Sequence, residues 1–230
     1  MVDFEARRTL AEVIRQYLNE ELTAFQFDDL LQPFYENADS TVQAVSKSLW
    51  YLYDDCDDHL VVADKPTWDY VQRLLLLLES GWQMDVWIVR QWSVRQFVAG
   101  FLLLCCIGIA YQVGMGWHLI PLLMPFGVLS IIVSQLGSSQ DRPDPFEKYT
   151  TPFRSISELE RAYRSARNFR KSRYPKHLAY REIRNKFISG IYLFKFYLLW
   201  VLFPVIPLML QCLPRTSCKT SILPASLPTQ

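Results

Sequence analysis

Q-F-V-A-G-F-L-L-L-C-C-I-G-I-A-Y-Q-V-G-M-G-W-H-L-I-P-L-L-M-P-F-G-V-L-S-I-I-V-S-Q-L-G-S-S-Q, residues 96–140, contains no Asp, Glu, Lys or Arg. As one helix this run would be about 68 Å long at ~1.5 Å per residue. A bilayer core is about 30 Å thick, so the run is long enough to cross twice. Gln112, Gly114, Gly116 and His118 interrupt the apolar pattern in Y-Q-V-G-M-G-W-H. The sequence therefore predicts a transmembrane hairpin within 96–136, with helices over Phe97–Val113 and His118–Leu136. A soluble core hairpin would rarely lack every charge over such a length.

Outward from this run, a second apolar stretch covers 187–213 and holds one charge, Lys195. It reads as a third transmembrane helix, with Lys195 snorkelling to the interface. Pro204 and Pro207 should kink it, and a re-entrant segment is the alternative. Between the apolar runs lies a basic connector, 137–186, with 13 Lys+Arg against 6 Asp+Glu. The positive-inside rule places this connector, and with it the N-terminal part, in the cytosol of a multi-pass inner (plasma) membrane protein. The tail, 214–230, would emerge on the other side as a disordered segment. Trp82, Trp87 and Trp92 precede the first span and Trp117 lies in its turn, which suits interfacial anchoring over a linker at 81–95.

Residues 1–95 carry 17 Asp+Glu against 8 Lys+Arg. The opening, M-V-D-F-E-A-R-R-T-L-A-E-V, has no apolar core with a cleavage site, so no signal peptide is expected. Over 1–80 the spacing of apolar residues predicts four short amphipathic helices. The first carries Leu10, Val13, Ile14, Tyr17 and Leu18 behind Asp3; the second carries Phe27, Leu30, Leu31 and Phe34 behind Thr23. The third carries Val42, Val45, Leu49 and Leu52 behind Asp39 or Ser40; the fourth carries Trp68, Val71, Leu74, Leu75 and Leu78 behind Asp64 and Pro66. Such helices pack as a small bundle. The expected fold is thus all-α: a cytosolic four-helix domain, a transmembrane hairpin, a basic amphipathic connector helix and a third transmembrane helix.

The stretch I-R-Q-Y-L-N-E-E-L-T-A-F-Q-F-D-D-L-L, 14–31, resembles the opening of small helical bacterial immunity proteins of the colicin D type. The resemblance covers about the first sixty residues. It implies a helical domain without catalytic residues that binds and neutralises a basic toxin nuclease. The spans and the basic connector depart from that family.

Residues 54–59, D-D-C-D-D-H, concentrate four carboxylates, a thiol and an imidazole. Three readings stand side by side. Asp54, Asp55, Asp57 and Asp58 form a docking surface for a basic partner, which is a separate protein or the protein's own connector. Alternatively they form a solvated loop. The third reading is a metal site on Cys56, Asp57 and His59. The loop fails the calcium EF-hand pattern: counted from Asp55, Leu60 and Pro66 stand where Gly and Glu are needed. Carboxylates that follow a helix C-terminus are unfavourable there by about 0.3–1 kcal/mol each.

The connector stretch 155–175 reads as one helix, with a capping box at Ser157 and Glu160 and an end at Pro175. Leu159, Ala162, Tyr163, Ala166 and Phe169 make an apolar stripe, flanked by Arg161, Arg164, Arg167, Arg170, Lys171 and Arg173. Such helices lie on anionic lipid, so membrane lipids are expected partners through these basic residues; setting topology with no further role, and docking on the acidic domain, are the alternatives. No nucleic-acid motif accompanies the charge, and no nucleic-acid partner is expected. Catalytic and nucleotide-binding signatures are absent, and the three histidines fall in three different segments. The sequence therefore points to a non-catalytic, bacterial-type membrane protein that needs no cofactor and presents an acidic interaction domain. A transporter or channel accessory subunit and a metal-sensing membrane protein are the competing expectations.

Overall fold

The computed structural model describes residues 2–54, 56–136, 147–183 and 186–223. Asp55, the last residues of the tail, and parts of the connector on either side of 147–183 lie outside the described residues. The fold is mostly helical, in the order α1 (Phe4–Leu18), α2 (Ala24–Leu31), α3 (Ser40–Leu49), α4 (Lys65–Ser80), β1 (Gln83–Gln91), α5 (Val94–Val113) and α6 (Leu119–Leu136). It continues through α7 (Glu147–Thr150), α8 (Ile156–Ser165), α9 (Lys186–Leu202), α10 (Val205–Gln211) and β2 (Arg215–Leu223). Strands β1 and β2 pair in a two-stranded sheet.

The chain divides into two compact units, each assembled from separated stretches. The first takes described residues 2–87, 147–183 and 219–223; the second takes 88–136 and 186–218.

In the first unit the four N-terminal helices start where short polar side chains can accept from exposed backbone N–H groups. Asp3 accepts from Ala6, Asp39 from Thr41, and Asp64 from Thr67, at 3.0, 2.9 and 2.9 Å. Thr23 and Gln26 exchange bonds in a capping box ahead of α2. Helix α4 stops at Gly81, whose φ of 72° is a left-handed conformation that suits glycine. The core joins Leu10, Ile14, Tyr17, Phe27, Val45, Leu49, Val71 and Leu74. Tyr17 and Phe27 stack with centroids 4.2 Å apart.

A charged pair sits within this core. Arg7, 1% exposed, belongs to the same stripe as Leu10, Ala11 and Ile14. Its Nε donates to Asp39 Oδ2 at 2.6 Å, and its Nη2 donates to Asp39 Oδ1 at 3.0 Å and Thr41 Oγ1 at 2.8 Å. Its Nη1 donates to the Trp82 carbonyl at 2.8 Å. Asp39 also accepts from the Asp3 and Thr41 backbone N–H groups. Burial pushes the Asp39 carboxyl up, but the Arg7 guanidinium and these N–H donors outweigh it and hold the carboxyl below its usual value. One residue thereby ties α1, the start of α3 and the entry to β1.

The connector segment completes the same core. Ala162 and Ala166 are buried with Phe153 and Leu178, and Leu159, Phe169 and Tyr174 pack against them. Trp68 Nε1 donates to the Ser172 carbonyl at 3.2 Å, and the Tyr174 hydroxyl donates to the Ala63 carbonyl at 3.0 Å.

In the second unit α5 packs on α6 and α10, and α6 packs on α9. Gly127 of α6 sits where an added Cβ would lie 2.6 Å from the Val201 Cα of α9, so glycine allows the close approach. The Trp200 Nε1 donates to Ser130 Oγ at 2.9 Å and Gln211 Nε2 donates to the Ser130 carbonyl at 3.0 Å, which fastens α9 and α10 to one point on α6.

Several expectations need correction. The chain is not all-α: residues 81–95 and 214–230, expected as a linker and a disordered tail, contribute β1 and β2. Val86, Trp87, Ile88, Thr216, Thr220 and Ile222 are β-favouring residues, and their pairing partner is far away in sequence. The connector helix is not one run to Pro175. It ends at Ser165, and its cap is Ser155, which accepts from Glu158 N, rather than Ser157. Within 187–213 the kink expected at Pro204 is present, as a break between α9 and α10 bent by 93°. Proline removes an N–H and clashes with the preceding turn there. Trp82 is no interfacial anchor; it is buried beside Phe153 with centroids 6.5 Å apart. By length and composition α5 is long enough to cross a membrane; α9 with α10 passes the same test only as a bent pair, and α6 is a shorter apolar helix.

Candidate interaction surface

The D-D-C-D-D-H loop closes on itself. The Asp54 backbone N–H donates to His59 Nε2 at 3.0 Å, and His59 Nδ1 lies 2.7 Å from the Leu60 carbonyl. That pattern fixes a neutral tautomer with the proton on Nδ1. Both ring nitrogens are occupied inside the loop. Asp54 Oδ1 accepts from Cys56 N at 2.8 Å in an Asx turn. Asp58 Oδ1 accepts from Phe25 N at 3.1 Å, and the His59 carbonyl accepts from Ala24 N at 2.8 Å. Asp58 therefore sits at the positive end of α2, where a carboxylate is stabilised. The loop bends away from the end of α3 through a 3-10 turn at Trp50–Leu52. Among the described residues no three His, Cys, Asp or Glu side chains form a group that could hold a metal ion.

Beside this loop lies a feature that the sequence reading passed over. The Tyr53 hydroxyl donates to Asp28 Oδ1 at 2.5 Å and lies 3.3 Å from the Tyr35 hydroxyl. Burial, and then the bond given to Asp28, push the Tyr53 phenol up, so it stays a donor. This chain of contacts fixes the exposed face of α2 against the acidic loop. Asp28, Gln32, Pro33, Tyr35, Glu36 and Trp50 line an open groove of about 540 Å³. Trp50 is 51% exposed and Tyr51 84%, with rings edge to face at 5.6 Å. Phe25 and Leu30 are exposed on the same helix. Trp50, edge to face with Tyr51, thus brings an exposed aromatic pair to the groove that Asp28 and Glu36 line. The available signal was the run W-Y-L-Y at 50–53, in which only Leu52 and Tyr53 are buried.

The basic residues are placed differently from the expectation. Of the stripe, Leu159, Ala162, Ala166 and Phe169 face the domain core, while Tyr163 and Ile156 of α8 remain exposed. Arg161 lies over the Trp82 ring at 5.8 Å, and Arg164 pairs with Glu160 at 3.7 Å. Lys171 pairs with Asp69 at 2.6 Å. Arg167, Arg170 and Arg173 are exposed. Glu20 accepts from His177 Nε2 at 2.8 Å and from Arg181 Nη1 at 2.9 Å, and Arg181 also donates to the Val61 carbonyl. The bonds from His177 and then Arg181 hold the Glu20 carboxyl below the usual range. Glu20 and Asp69 thus receive the connector.

No protein-family model, curated protein or solved structure matches this chain.

Proposed function

We propose that this is a non-catalytic integral membrane protein that presents an acidic, aromatic-centred face to a basic protein partner in the cytosol. The observation that carries this reading is the exposed Trp50–Tyr51 pair beside the Asp28–Glu36 groove and the acidic loop. Aromatic residues at the centre of a contact supply most of the binding free energy. Surrounding charge of one sign selects partners and speeds their encounter. An immunity-like protein that neutralises a basic toxin is one concrete version.

The membrane part of the reading is supported by the exterior of the second unit. Only 17% of the α5 window is buried, and Phe97, Phe101, Leu104 and Tyr111 point outward. Exposed apolar surface on that scale suits lipid. The α5–α6 pair crosses as a hairpin, and the bent α9–α10 pair forms the third membrane segment, spanning or re-entrant. The basic connector keeps to the cytosolic side.

The full chain, tagged and purified in detergent, serves as bait in a cell lysate beside two variants. One carries Trp50→Ala with Tyr51→Ala; the other carries Asp54→Asn, Asp57→Asn and Asp58→Asn. A basic protein retained by the parent, released at high salt and lost from both variants is the expected result. A partner retained equally by all three baits sinks the reading.

A further inference from the structure

The bend between α9 and α10 encloses an apolar groove of about 470 Å³, within the range of small-molecule sites. Phe196, Trp200, Phe203 and Leu210 line it, and Arg95 and Gln211 supply its polar end. Those two residues are incompletely paired. Arg95 Nη1 donates to the Ser134 carbonyl at 3.3 Å, while its Nε is buried without a partner among the described residues. Gln211 is 8% exposed. Its Nε2 donates to the Ser130 carbonyl, which fixes the amide orientation and leaves Oε1 buried and unpartnered. A covered N–H of a half-buried guanidinium and a buried acceptor left in this state are costly. No protein carboxylate stands in the adjoining sequence: residues 86–140 and 183–230 contain no Asp or Glu.

We infer that this groove holds one anionic phospholipid of the surrounding leaflet, its phosphodiester on the free edge of Arg95, a head-group hydroxyl on Gln211 Oε1, and an acyl chain along the aromatic crook. The inference rests on the membrane reading above. Arg95 lies in the first turn of α5, at the cytosolic interface, where phosphates are found. A guanidinium edge matches two phosphate oxygens, which an ammonium cannot do. A head-group hydroxyl supplies the donor that Gln211 lacks. Phosphatidylglycerol has this chemistry; phosphatidylcholine has neither the net charge nor the hydroxyl.

The test is native mass spectrometry of the full chain in detergent micelles doped with dioleoyl-phosphatidylglycerol, dioleoyl-phosphatidylethanol or dioleoyl-phosphatidylcholine. One phosphatidylglycerol is retained, and Arg95→Gln weakens it about tenfold or more, the size of a lost charge-assisted bond. Arg90→Gln, the same charge change in β1, leaves retention unaltered. Leu210→Trp fills the groove with Arg95 intact and also weakens retention, which covers the case in which Arg95→Gln does not fold. Phosphatidylethanol, with the charge but no hydroxyl, binds about fivefold more weakly, and Gln211→Leu removes that difference. Equal losses in Arg90→Gln and Arg95→Gln, equal retention of phosphatidylcholine, or displacement by inorganic phosphate alone overturns the assignment. Release of the chain from membranes by an alkaline carbonate wash would instead defeat the membrane reading, while the micelle assay still reports on the groove.

Discussion

Replacing Arg7 by Ala leaves Asp39 charged inside the first unit, where its side chain is 2% exposed. Three groups lose a donor at once: Asp39, the Trp82 carbonyl and Thr41 Oγ1; Asp39 keeps two backbone N–H groups and Thr41 Oγ1 keeps that of Met84. Breaking a buried ion pair by removing one partner costs about 3–5 kcal/mol. The orphaned carbonyl adds about 1 kcal/mol. Against a total stability of roughly 5–15 kcal/mol, a loss of about 4–6 kcal/mol leaves a marginal domain. Pulse proteolysis of the full chain in micelles, across a urea series, reads this loss directly. The pH dependence identifies its cause. In the parent, the Asp39 carboxyl is held below its unfolded value, so its contribution is present above about pH 4 and is lost as acid reaches the folded value. In Arg7→Ala, burial acts without the guanidinium and raises the carboxyl. Protonation in mild acid then relieves the penalty, and the gap between parent and variant narrows from pH 7.5 to pH 5. Arg7→Met with Asp39→Asn, which buries no lone charge, recovers about half of the loss. A loss under about 1 kcal/mol, or a gap that widens in acid, would refute the reasoning.

Three further outcomes follow from the packing. Gly127→Leu drives a side chain into the Val201 backbone of α9 and costs about 1–3 kcal/mol or more, seen as faster proteolysis within 186–203; unchanged cleavage refutes the close approach. Glu20→Gln loosens the segment at His177 and Arg181 and speeds tryptic cleavage there. Because the Glu20 carboxyl is held low, the parent resists that cleavage down through pH 5 and loses its protection only in stronger acid; protection already lost at pH 6 would refute the contact. Ala162→Glu puts a charge into a fully buried position of α8 and detaches the connector, measured as new protease sites in 155–175 without aggregation of α1 to α4; an unchanged digest refutes its place in the core.

The starts of the N-terminal helices were legible because a cap is a local device. Asp3, Thr23, Asp39 and Asp64 each answer N–H groups two or three residues ahead. The limits of the apolar hairpin were legible for the same reason, since charge density is a local property. What escaped was non-local. Arg7 occupies a stripe position on α1, but its carboxylate lies 32 residues on. Strand β1 ends at Gln91 and β2 begins only at Arg215, and neither alternates strongly enough to announce a partner. The apolar stripe of α8 was legible as a stripe; its destination stayed open between lipid and the acidic domain, because a lipid surface and a protein core ask for the same spacing. In the acidic loop the residue types were plain, yet Asp58 joins the start of α2 by a contact 33 residues back in the chain.

The interleaved composition of the first unit has a consequence for biosynthesis. Ribosomes release residues 1–87 long before Ala162, Leu178 and Ile222 exist to cover Trp68 and Trp82. At about 5–20 residues per second, the remaining stretch to Ile222 takes roughly 7–27 s. During that interval the first unit lacks part of its own core. A chain that stops before Ile222 leaves that core incomplete and open to chaperones and proteases. Completion of the core thus reports that both later stretches have been made and have folded back.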